Sequence, residues 1–177
     1  MLNLSDLADN PSNDRKLTDG NWQYAVACDL HTDSTFWNRA SFISLSKDYA
    51  ADASAALLYL LQKESKVLSL WEKQWGDGIP TAAAFVSALL AWGRFTNTNG
   101  QNLIIEKFWK SYIGTITAIT SEPSFEYTEK GEKKVYAEKI IKEDILQVLC
   151  FDDSWNEQNF LIETNTEWIL FNWVTMA

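Results

Sequence analysis

Apolar positions in this chain follow different periods in different segments. Residues 22–30, WQYAVACDL, and 41–46, SFISLS, are rich in β-branched and aromatic side chains and predict two strands. The intervening HTDSTFWNR reads as a loop or a bent strand edge. From residue 48 the spacing becomes helical. In DYAADASAALLYLLQK, aspartates fall in the first turn and a lysine in the last, as the helix dipole favours, and Leu57, Leu60 and Leu61 share a face. KVLSLWEKQW continues the pattern, with Val67, Leu70, Trp71 and Trp75 recurring at spacings of three and four until Gly76 and Gly78 end it. Pro80 suits the first turn of a further helix, where its missing amide donor would have no partner anyway. Between residues 81 and 95 apolar side chains surround the axis, interrupted by Ser87 and Arg94, which predicts a central buried helix. After the TNTNGQN break, LIIEKFWKSYI places Ile105, Phe108, Trp109 and Tyr112 on helical spacing.

Beyond Gly114 the period becomes two. TITAIT predicts a strand, SFEYT puts Phe125 and Tyr127 on one face, and EKGE forms a turn before KKVYAEKII. DILQVLCF reads as a buried strand, although Ile141, Ile145, Val148 and Leu149 also fit a helix. A polar loop, DDSWNEQN, leads to NFLIET and EWILFNWV, which flank Asn165 and Thr166 as a hairpin. In its second arm Trp168, Leu170 and Val174 point one way and Ile169, Phe171 and Trp173 the other. Both faces are apolar, so that arm is expected to be covered on both sides.

These elements predict a single α+β domain, a mostly antiparallel sheet with a C-terminal β-meander and a central helical segment packed on one face. Residues 1–20, rich in Asn, Asp and Ser and containing Pro11 and Gly20, predict a loosely ordered arm with one short helical turn near residues 4–8. Residues 21–177 form the domain. A chain of 177 residues, 46% of them hydrophobic, can bury one sizeable core. Nine tryptophans, nine phenylalanines and six tyrosines supply large rings for that core and for interfaces.

Charge narrows the function. A net charge of −9 argues against direct nucleic-acid binding, which requires clustered Lys and Arg. The longest apolar stretch, IPTAAAFVSALLAW, has 14 residues, short of the roughly 20 that span a bilayer. No basic leader precedes an apolar run at the start of the chain, so no membrane association and a cytoplasmic location are expected. Cys28 and Cys150, the two cysteines, lie far apart without a CxxC motif and predict free buried thiols, their pairing being left open by sequence.

Candidate chemistry is sparse. Asp29, His31 and Asp33 in DLHTD would project to one side of an extended segment and form a weak candidate for a divalent metal. His31 is the single histidine, and Cys28, three residues away, falls on the opposite face of a strand, which disfavours a Cys–His dyad. The neighbouring pairs Glu143/Asp144 and Asp152/Asp153 face apart in extended chain, unlike the facing carboxyls of a glycosidase. WGDGIP matches no phosphate-loop pattern. Neither a catalytic residue nor a cofactor is therefore expected.

The positive signal is electrostatic. Residues 141–177 hold seven acids against Lys142 and carry −6 of the net −9, with Trp155 among them. An aromatic anchor ringed by carboxylates suits a basic protein surface, with Asp152, Asp153, Trp155, Glu157, Glu163 and Glu167 as partner-binding candidates. The expectation is a small, acidic, non-enzymatic binding protein of the immunity-protein or inhibitor kind. It would neutralise a basic toxin, nuclease or defence protein. The alternatives are an enzyme or small-ligand or metal-binding protein with a site near Asp29, His31 and Asp33, and a self-associating structural subunit. Oligomeric state does not follow from the sequence.

Overall fold

A computed structural model describes residues 2–31, 38–95, 97–119, 125–129, 132–136 and 140–175. In chain order the elements are β1 (Leu2–Asn3), α1 (Leu4–Asp9), α2 (Ser12–Thr18), β2 (Val26–His31), β3 (Asn38–Ser46), α3 (Ala53–Val67), α4 (Leu70–Trp75) and α5 (Ala82–Ala91). They continue with β4 (Asn99–Asn102), α6 (Ile105–Ile119), β5 (Phe125–Glu129), β6 (Glu132–Tyr136), β7 (Ile145–Asp153), β8 (Glu157–Thr164) and β9 (Glu167–Thr175). Seven strands pair in the order β1-β4-β7-β8-β9-β3-β2, every neighbour antiparallel, and β5 and β6 form a separate ladder. This is the α+β architecture that the periodicity predicts, with β7, β8 and β9 as the C-terminal meander.

Strand alternation divides the core in two. Leu161, Leu170 and Trp168 face one side with Ile43, Leu45, Leu149 and Phe151, where they meet α1 to α5. Phe160, Ile162, Ile169 and Phe171 face the other with Ala40, Phe42 and Val148, where they meet Phe108, Tyr112 and Ile116 of α6. The predicted covering of β9 on both faces is therefore seen, and the register Phe160↔Phe171, Leu161↔Leu170 and Ile162↔Ile169 keeps the two apolar sets apart. The β8–β9 hairpin closes on Thr164, whose hydroxyl accepts from the Glu167 amide and donates to the Glu167 carbonyl, both at 3.0 Å.

The buried helix is α3. Its Leu57, Leu58, Leu60 and Leu61 are wholly enclosed, and Asp52 caps its start by accepting from the Ala55 amide at 2.8 Å. Residues 48–52, predicted as its first turn, lie outside it, and Ser69, at φ 55°, separates α3 from α4. The expectation of a central α5 is corrected. That helix buries Ala82, Phe85, Val86, Ala88 and Leu89 but exposes Ala83, Ala84, Ser87, Leu90 and Ala91. Alanine accounts for the difference: it counts as apolar in a pattern, yet it favours helix at little cost on a surface.

Three further expectations change. Where a strand is predicted at TITAIT, α6 continues through Thr115 to Ile119. Ile116 lies one turn beyond Tyr112 and two beyond Phe108, so extending the helix prolongs a buried stripe, and that burial outweighs β-branched propensity. Where a loosely ordered arm is expected, residues 4–18 form α1 and α2 and bury Leu4, Leu7 and Leu17. Where DDSWNEQN is expected as a loop, Asp152 and Asp153 end β7 and Glu157 begins β8, leaving residues 154–156 as a tight turn. Among the described residues no helix is long and apolar enough to cross a membrane.

Candidate functional site

The β7–β8 turn is braced by short polar side chains. Asp152 accepts from the Ser154 amide at 2.9 Å, and that amide also reaches the Glu157 carbonyl at 2.9 Å. The Ser154 hydroxyl bonds Asn156 Oδ1 at 3.1 Å and the Glu157 carbonyl at 3.0 Å. These contacts fix the turn, and the residue at its tip, Trp155, stands 74% exposed.

Beside the turn lies an open groove of about 590 Å³. One wall is the α6 stripe Lys107, Lys110, Ser111, Gly114 and Thr115, at spacings of three and four. The other consists of Asp153, Ser154, Trp155, Gln158 and Trp173. Gly114 presents no side chain to the groove, and a Cβ placed there would meet nothing within 4 Å.

The floor is a connected polar network. Buried Gln158 donates through Nε2 to Ser111 Oγ at 2.7 Å and to Asp153 Oδ1 at 3.4 Å, and accepts from Thr115 Oγ1 at 2.9 Å. Ser111 Oγ donates to Asp153 Oδ1 at 2.9 Å. Asp153 Oδ2 lies 3.9 Å from Lys107 Nζ, a loose pair in which the lysine side chain is 67% exposed and the aspartate 20%. Satisfied networks of this kind hold their members in one orientation.

Cys150 lies near these acids in β7. Burial, and then the charges of Asp153 and Asp152, push its thiol up to about 11, with Lys107 acting in the other direction. A thiol so shifted is protonated at neutral pH and a poor nucleophile.

The structure brings together some of the predicted site residues and separates others. Asp152, Asp153 and Trp155 meet at the β7–β8 turn. Glu157 accepts from Asn159 Nδ2 at 2.7 Å and adjoins a buried network on the first face of the sheet, where Arg94 bonds both Glu64 and Asn159. Glu163 and Glu167 flank the β8–β9 turn at the far end of β8, about 20 Å away at the usual strand rise, and Glu163 is paired with Lys47 at 2.7 Å. The six acidic-end candidates therefore do not form one surface, because successive hairpin turns of a meander fall at opposite ends of the sheet.

Asp29 and His31 stand in β2 opposite Ser41 and Arg39, while Asp33 lies outside the described residues. Among the described residues no cluster of His, Cys, Asp or Glu could hold a metal ion. Reading TITAIT as a strand cuts the polar stripe of α6 at Gly114, whereas continuing the helical period joins Thr115 to Lys107 and Ser111.

No protein-family model matches the chain, and comparison with curated proteins and with solved structures finds no similar one.

Proposed function

We propose that this chain is a non-enzymatic binding protein that docks a basic macromolecular surface at the β7–β8 end of its sheet, in the manner of an immunity protein or inhibitor. The observation that carries this reading is Trp155, 74% exposed on a turn held by its own hydrogen bonds and flanked by Asp152 and Asp153. An indole presented by an ordered turn loses little conformational freedom on docking and buries a large area. The acids at this end of the sheet, Asp152, Asp153 and Glu157, speed encounter with a basic partner and disfavour acidic ones.

The test is affinity capture from the native host and from cells it competes with, at low and high salt, using the wild type and the variants Trp155→Ala and Asp152→Lys/Asp153→Lys. Stoichiometric recovery of a basic protein, weakened by salt and by either variant, supports the reading. Recovery of no partner at low salt overturns it and directs attention to a small-ligand or enzymatic role.

A further inference from the structure

We infer that the groove beside Trp155 receives an arginine side chain of the partner. The inference rests on the docking reading above and names the group that the groove recognises. Asp153 is the centre of the argument. Its Oδ1 is occupied by Ser111 and Gln158, at 2.9 and 3.4 Å, so the carboxylate is held in place without being neutralised. Its Oδ2 is met by Lys107 at 3.9 Å, longer than a hydrogen bond. A guanidinium can donate to Oδ2 at full hydrogen-bonding distance and lay its plane along an indole, and both Trp155 and Trp173 line the groove.

Lys107 and Lys110 also line the groove, and they raise the possibility of an anionic occupant. The geometry favours the cation. Lys107 is 67% exposed on a flexible stem and can turn into solvent, whereas Asp153 is anchored from below by two neighbours. An exposed pair of this length contributes little and is readily exchanged for a charge-assisted, planar contact. Lys107 then acts as a competitor that the arriving arginine displaces.

The experiment follows the tryptophan indole N–H signals of the full-length protein by NMR during titration with acetyl-Gly-Arg-Gly-amide, its citrulline counterpart, and inorganic phosphate. The Trp155 signal is identified by its loss in Trp155→Phe. The arginine peptide is expected to move that signal, the effect fading at high salt, while the citrulline peptide does not. Asp153→Asn should abolish the response, and Lys107→Ala should tighten it roughly two-fold by removing the competing cation. Trp155→Ala, a change at an exposed position, provides a second variant, read through the Ser111 backbone amide. An equal response to citrulline, a response to phosphate alone, no response to arginine, or weaker binding in Lys107→Ala would each overturn the inference.

The capture experiment separates the two levels. A partner still captured by Asp153→Asn, with no response to the arginine peptide in the wild type, removes the arginine site and leaves the docking reading standing. An arginine response without any captured partner removes the docking reading and, with it, the partner's arginine, leaving only a groove that binds a free guanidinium group.

Discussion

Arg94 donates through Nε and Nη2 to both carboxylate oxygens of Glu64, at 2.5 and 2.9 Å, between α3 and the sheet. The side chains are 11% and 7% exposed, and Arg94 Nη1 continues to Asn159 Oδ1, which also accepts from Asn172 Nδ2 at 2.8 Å. A buried charge pair is stable while both members are present, and removing one leaves the other without compensation. Glu64→Leu and Arg94→Met should each destabilise by about 3–5 kcal/mol. Glu64→Leu/Arg94→Met should recover most of that loss. Urea denaturation arranged as a double-mutant cycle measures both effects.

The placement of α3 and α5 gives an opposite pair of outcomes. Leu60→Ala, in the enclosed α3, should cost about 2–5 kcal/mol. Leu90→Ala, at a position 40% exposed on α5, should stay within about 0.5 kcal/mol of wild type. Trp92→Ala falls between them, at about 1–2 kcal/mol, because its ring is half-buried against Trp75 with centroids 5.6 Å apart. Chemical denaturation of the three variants ranks the sites.

Gly100 makes room for a ring. A Cβ there would lie 2.8 Å from Phe151 Cζ and 3.1 Å from the Leu2 carbonyl oxygen, closer than packing tolerates. Gly100→Ala should therefore destabilise by about 1–3 kcal/mol. Pairing it with Phe151→Leu should reduce the penalty of the glycine change, as read in thermal melts of the single and double variants.

Stability should fall in alkali. Burial, and then the 2.5 Å hydrogen bond to Asp19, push the Tyr59 hydroxyl up from 10.0 to about 12, and burial pushes Cys150 up from 9.0 to about 11. The unfolded chain loses these protons first, so the stabilising contribution is complete below about pH 9 and is lost as pH rises through 11 to 12. Tyr59→Phe and Cys150→Ser should each flatten the pH dependence of unfolding measured between pH 8 and 11.5. A wild-type stability that is constant or rises over that interval would contradict the assignment.

The elements most legible in the sequence are those with an unambiguous period. The alternation of Trp168, Ile169, Leu170 and Phe171 places β9 between two apolar layers that stay separate: Trp168 and Leu170 meet α3, while Ile169 and Phe171 meet α6. Segments made of residues that suit two patterns were less legible. Alanine gave α5 an apolar circumference without a buried one, and threonine and isoleucine gave the end of α6 the composition of a strand. In the groove, Trp155 and its flanking acids were visible as an aromatic among charges, but Gln158 and Thr115 were two ordinary polar residues until the fold joined them at 2.9 Å.

By itself the sequence determined the meander, the inward and outward faces of its strands, and the acidic balance of the chain's last part, because side-chain alternation and charge are local properties. Tertiary structure decided which helix lies on which face, how far α6 extends, and which polar residues meet beside Trp155. Those outcomes depend on burial against partners distant in the chain: Ile116 is helical because Phe108 and Tyr112 already face the sheet, and Ser111 meets Asp153 because α6 packs against β7. A residue's period states that it will be buried. Only the packed chain supplies the surface against which burial occurs.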